Sequence, residues 1–204
     1  MDIAALLKSF IYLISSSLLY PVMFLLVLLT VWTLICGGAF FAEWLERARL
    51  DKYAPEDLPN LIREPDERSI FSHRVLDYLK TLRLLVDTDR NTLEVEIENV
   101  FQEKTLGMWK SLDKVGMIIR IGPGLGLIGT LIPMGTGLAA LGQGDMTKLS
   151  SDLVIAFTTT VVGLAAGILA YFFYTVRRRW VEEDIKNIEL VTDILAGDTV
   201  AQTE

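Results

Sequence analysis

Charged positions in this chain come in blocks, and three long stretches hold none. Residues 9–42, 121–144 and 153–176 lack Asp, Glu, Lys, Arg and His altogether. The second and third are 24 residues each, which suits a helix crossing a hydrocarbon core of about 30 Å. The first has 34 residues and would make a helix of about 50 Å, too long for one crossing. Ser15-Ser16-Ser17 and Pro21 are the places to break it, because proline cannot donate to the preceding turn. Residues 1–17 are therefore expected to be an amphipathic helix lying in the membrane interface. Residues 18–42 are expected to be transmembrane helix 1, with Glu43 and Trp44 at headgroup level.

The segment 43–120 is polar. Pro55, Pro59 and Pro65 mark an irregular linker. Phe71, Val75, Leu79, Leu82 and Val86 then recur at helical spacing. Thr88 to Arg90 break the pattern, and Asn91 with Glu94 reads as a helix start. Leu93, Ile97, Val100, Met108, Leu112, Val115 and Ile119 continue the period, so one long helix is expected to run directly into transmembrane helix 2 at 121–144. An outer turn follows at 145–152, then transmembrane helix 3 at 153–176. Arg177-Arg178-Arg179-Trp180 is a basic, aromatic stop. The remainder, 177–204, is expected to be an amphipathic helix ending at Gly197, with a frayed tail. The fold class is thus all-α, with three spans and long helical extensions. Of 19 Lys and Arg, all but Lys8 and Lys148 fall in 43–120 or the tail. That asymmetry puts the cytoplasmic helical domain and the C-terminus inside and the N-terminus outside.

Composition narrows the function. At 51% hydrophobic with a net charge of −7, the chain has no basic stripe to attract nucleic acid. The single Cys36 excludes an intrachain disulfide. The single His73 sits among charges and reads as an ordinary surface histidine. No nucleophile–base pair, metal cluster or cofactor motif is present, so neither an enzyme nor a bound cofactor is expected. The run after Lys8 is too long for a signal peptide and no Ala-x-Ala site closes it, so the first span is expected to be kept.

The last two spans carry the chemistry. On a helix, Gly122, Gly126, Thr130, Pro133 and Gly137 share a face, and so do Ala156, Thr160, Gly163, Gly167 and Ala170. With Gly129 beside them, small residues at this spacing let membrane helices approach closely, and Pro133 is placed to bend its helix. Thr130 lies 15 residues before Asp145 and Thr160 lies 15 after. Equal distance from the turn means equal depth, near the membrane middle. Two readings stay open: the hydroxyls line a polar path, or each simply bonds its own i−4 carbonyl. The spans contain no Asp, Glu, His, Lys or Arg, and Asp152, the nearest acid, falls at the outer end of the third. Ion paths normally use an intramembrane ionisable residue, so a conducting role requires a partner to supply one. Without such a partner, a non-conducting oligomeric scaffold held by the small-residue faces is the alternative. The phosphate-loop spacing at Gly124 to Thr130 lacks the lysine and follows no strand, which argues against nucleotide binding.

Two segments, Gly122-Pro123-Gly124-Leu125-Gly126-Leu127-Ile128-Gly129-Thr130 and Thr158-Thr159-Thr160-Val161-Val162-Gly163-Leu164-Ala165-Ala166, resemble the MotA/TolQ/ExbB proton-channel family, in particular its TolQ/ExbB-like branch. The resemblance implies a homo-pentameric ring in the cytoplasmic (inner) membrane around a dimer of a single-span ExbD/TolR-like partner. It implies that the partner brings an essential aspartate and that Thr130 and Thr160 line the ion path beside it. Ion flow would then turn the ring about the partner and drive work at the cell envelope.

Overall fold

The computed structural model describes residues 3–49, 71–86 and 93–201, and all of its regular structure is helical. Among the described residues, five helices follow in chain order: α1 (Ile3–Ser17), α2 (Leu19–Ala48), α3 (His73–Val86), α4 (Leu93–Gly142) and α5 (Met146–Ala201). Three of them, α2, α4 and α5, are long and apolar enough to cross a membrane. The prolines of the expected linker and the Asn91 cap lie outside the described residues.

The expected break near Ser17 is slight. Only Leu18 separates α1 from α2, and its amide still donates to the Ile14 carbonyl at 3.1 Å. Pro21 costs α2 nothing, because the first turn of a helix has no intrahelical acceptor for its amides. α4 is 50 residues long and passes through both Pro123 and Pro133 without losing helical assignment. α5, at 56 residues, joins the third apolar run and the tail in one helix that continues through Gly197 to Ala201. Gly197 is therefore not the stop expected of it. One glycine inside a helix costs only about 1 kcal/mol, which leaves its effect to context.

The chain divides into two compact units. The first combines residues 1–38 with 114–174. Leu29, Val115, Ile118, Ala166 and Ala170 are its buried cluster, with Cys36, Ile119, Leu125, Phe173 and Tyr174 packed around them. Its outer surface is apolar as well: Phe24, Leu34, Leu131, Phe157, Val161 and Ile168 are all exposed. A helix that is hydrophobic all round belongs in a membrane or in a larger core.

Gly144 makes the α4–α5 hairpin possible. It has φ +80°, which strains any residue with a Cβ. Its amide donates to Leu141 O at 2.9 Å, while the Asp145 amide reaches back to Ala140 O at 3.0 Å. This pair of bonds closes α4 as a Schellman motif. Asp145 then starts α5, accepting the Lys148 amide on Oδ1 at 2.9 Å.

The second unit combines residues 39–113 with 175–204. Val75, Tyr78, Leu79 and Leu82 are fully buried on one face of α3. Phe71 is buried just ahead of that helix, and Ile97, Met108, Leu112, Val181, Ile188 and Val191 complete the core. The apolar period at 71–86 thus marks a buried face, although the helix itself begins only at His73. The Tyr78 hydroxyl meets the Thr192 hydroxyl at 2.7 Å. Burial pushes the Tyr78 phenol above the usual tyrosine range, against a lowering influence from that hydrogen bond.

Candidate functional site

Within the first unit, α4 and α5 touch backbone to backbone. A Cβ placed on Gly163 would lie 2.6 Å from Gly122 O and 2.8 Å from Gly126 Cα. One on Gly126 would lie 3.2 Å from Thr159 O, and one on Gly129 would lie 2.8 Å from the Thr159 Cβ. Gly167 faces the Pro123 ring, and Gly137 faces Leu149 and Asp152. Gly122, Gly126, Gly129, Gly137, Gly163 and Gly167 therefore all lie in one seam, with buried Pro133 on the same helix. Side chains of ordinary size at these positions would hold the helices apart.

The close approach brings two hydroxyls together. Thr130 Oγ1 and Thr160 Oγ1 are in hydrogen-bond contact, and both residues are half-buried. Each also faces a main-chain carbonyl. Thr130 Oγ1 lies 2.8 Å from Gly126 O and 3.2 Å from Ala156 O. Thr160 Oγ1 lies 3.1 Å from the same Ala156 O. Each threonine thus bonds its own i−4 carbonyl and also reaches across to the other helix. Two hydroxyl protons serve three acceptor sites here: the two carbonyls and one hydroxyl oxygen. One hydroxyl must donate to a carbonyl while the other donates either to it or to a carbonyl, so the bonding can be rearranged without moving heavy atoms. Thr158 and Thr159, by contrast, bond back to carbonyls of their own helix at 2.8–3.0 Å.

At the end of the hairpin, Asp152 is not free in the turn. It is 9% exposed, and its Oδ2 accepts the Thr136 hydroxyl of α4 at 2.7 Å. Lys148 Nζ, one turn earlier on α5, lies 3.9 Å from the same oxygen.

The second unit holds an ionic cluster that sequence reasoning missed. Arg47 Nη2 donates to Asp184 Oδ2 at 2.5 Å. Arg74 joins Glu43 at 2.8 Å and Asp184 at 3.5 Å, and Arg177 donates to Glu43 at 3.1 Å. Ser72 Oγ donates to Asp184 Oδ1 at 2.9 Å. Trp180 stacks on Phe40 with centroids 5.2 Å apart, and the Arg47 guanidinium lies 5.2 Å from the Trp180 ring. Asp184 is 1% exposed. Glu43, Arg177 and Trp180 face this cluster rather than only marking the edge of a span. Apart from Glu43–Arg74, the cluster's pairs join residues more than 100 apart in the chain, so no local pattern could reveal them. His73 pairs with Glu46, its Nδ1 at 2.9 Å, and is exposed, in keeping with an ordinary surface histidine.

These features define a multi-pass, all-helical membrane protein whose last two long apolar helices meet through glycine and carry a half-buried hydroxyl pair. The chain belongs to the MotA/TolQ/ExbB proton channel family, whose family model matches residues 66–190. A putative biopolymer transport protein ExbB homolog from Methanothermobacter thermautotrophicus is 34% identical over 105 residues. That match covers 50% of this chain and 38% of the relative, so the chain spans well under half of the relative's length.

Proposed function

We propose that this chain is the ion-conducting subunit of a TolQ/ExbB-like membrane motor, with the proton as its ion. The observation that carries the reading is the Thr130–Thr160 hydroxyl contact between the paired apolar helices. A hydroxyl can accept a proton on one lone pair while releasing its own, so it relays without storing charge. Residues 121–144 and 153–176 hold no Asp, Glu, His, Lys or Arg. The titrating carboxylate is therefore assigned to a single-span ExbD/TolR-like partner, a dimer inside a homo-pentameric ring. Closed cyclic symmetry is the natural arrangement for identical subunits around a central partner. The ring would sit in the inner membrane with its N-terminus outside and its C-terminus in the cytoplasm, as the lysine and arginine distribution favours. Residues 1–17 would lie along the interface. Rotation of ring against partner would then convert ion flow into mechanical work.

The competing scaffold reading needs the small-residue faces for contact between subunits. Those of α4 and α5 are occupied within the chain, which favours the motor. The test uses membrane vesicles from the native cell, with the chromosomal gene replaced, and follows proton uptake after a pH jump. Thr130→Ala and Thr160→Ala should each lower the flux by about 100-fold, the range lost with a positioned proton-transfer group. Thr→Ser variants should keep most of it, and the mass of the purified complex should not change. Wild-type flux in both alanine variants would sink the assignment.

A further inference from the structure

The hydroxyl pair passes protons but holds none, and the described residues contain one titratable side chain buried against the same seam. We infer that Asp152 is a proton-loading station at one end of the Thr130–Thr160 path, supplied by this chain itself in addition to the partner's carboxylate. The inference rests on the proposed path.

Geometry carries it first. Asp152, Ala156 and Thr160 follow at intervals of four on α5, so they share a face, and the Ala156 carbonyl faces both path hydroxyls. On α4, Thr136 bonds Asp152 at 2.7 Å and also lies 3.1 Å from Pro133 O. Pro133 lacks an amide hydrogen, so the Gly129 carbonyl has no i+4 donor and remains available as a hydrogen-bond acceptor. Asp152 thus stands eight residues, about 12 Å of helix rise, from Thr160. Pro133 and Ala156 lie between the two ends and both are buried, so a proton crosses only when the helices part enough to admit water.

Energetics carries it further. Enclosing a carboxylate costs several kcal/mol unless it is well compensated. Here the partners are one hydroxyl and an ammonium 3.9 Å away that is itself 54% exposed. Asparagine would accept the Thr136 hydrogen bond equally well without that cost. A structural role therefore does not explain an acid at this position. A proton-holding role does, because only the acid can accept a proton, keep it, and release it to a hydroxyl or water. Lys148, and Asp145 at the helix start, are the charged groups at this end of α5.

The test combines flux with a direct reading of protonation. In native-membrane vesicles, Asp152→Asn should lower proton flux by at least about tenfold, and Asp152→Glu should recover part of it. The Asn variant should keep the wild-type complex mass and thermal stability. Infrared difference spectra of the purified protein in lipid, taken across pH, should contain a protonated-carboxyl band that Asp152→Asn abolishes. If Asp152→Asn conducts normally where Thr130→Ala does not, the station is refuted and the path stands. If Asp152→Asn and Thr136→Val lose stability together and flux falls only in proportion, the role is structural and the inference fails. If Thr130→Ala and Thr160→Ala also conduct normally, the path falls and the station with it.

Discussion

Gly163→Ala is the sharpest probe of the helix seam. The added methyl would sit 2.6 Å from Gly122 O, 2.8 Å from Gly126 Cα and 3.0 Å from Gly126 N. All three are main-chain atoms of α4, and no side-chain rotation can relieve them. Carbon contacts are comfortable at roughly 3.5 Å or more, so the helices must part locally by roughly 0.5–1 Å. Overpacking of this kind costs about 1–3 kcal/mol. At roughly 2–4 °C per kcal/mol for a chain of this size, unfolding should shift down by roughly 2–12 °C. The effect on function should be larger. Thr160 lies one turn from Gly163, and a hydroxyl's hydrogen bond is normally no longer than about 3.0 Å. Separation of the helices should therefore break the Thr130 hydroxyl's bond to Ala156 O, already 3.2 Å long, and lower proton flux. Thermal unfolding in detergent and vesicle proton uptake measure the two effects. Gly124→Ala is the control, since a Cβ there meets nothing within 4 Å in the chain. A Gly163→Ala protein with wild-type unfolding and flux would refute the close-contact argument.

The second unit offers two further tests. Asp184→Ala would leave Arg47 and Arg74 facing each other without their shared carboxylate, and breaking a buried pair from one side costs about 3–5 kcal/mol; a large drop in unfolding temperature should result, whereas Glu182→Ala on the exposed side of α5 should cost under about 1 kcal/mol. Asp77 is held below the usual carboxylate range chiefly by its hydrogen bond from Lys104, at 2.6 Å, and by that ammonium's charge. A depressed carboxylate adds stability above its unfolded pKa and loses it as pH falls through its folded one. Acidification below the ordinary aspartate range should therefore cost a small, salt-sensitive increment, and Asp77→Asn should remove that increment from the pH–stability curve.

Much of the architecture was legible because it follows from local rules. Uncharged runs of membrane length marked α2, α4 and α5, and an unbroken apolar period joined the polar half of α4 to its apolar half. Symmetric spacing about Asp145 put Thr130 and Thr160 at the same depth, because an antiparallel hairpin converts sequence distance into height. Small residues at intervals of three and four marked the faces that meet. The apolar period also pointed to Phe71, Leu79, Leu93 and Ile97 as core; Phe71, Leu79 and Ile97 are buried, and the side chain of Leu93 lies outside those described. The Arg47–Arg74–Asp184–Glu43–Arg177 cluster was not legible, because its members come from α2, α3 and α5 and are brought together only by the fold. Nor was the burial of Asp152: a residue at a helix end looks solvated until the opposing helix is in place. Gly197 misled because its helix-breaking tendency is only about 1 kcal/mol.

Taken alone, the residue order determines which stretches can leave water, where the hairpin turns, and which faces are small enough to touch. These are properties of single segments, set by hydropathy, by helical periodicity and by the left-handed conformation that Gly144 accepts. Tertiary structure decided the rest. It set the distance between two hydroxyls, buried one carboxylate beside one hydroxyl, and gathered three arginines around two acids. Each of these depends on the separation and rotation of helices that are remote in the chain, and only packing determines those.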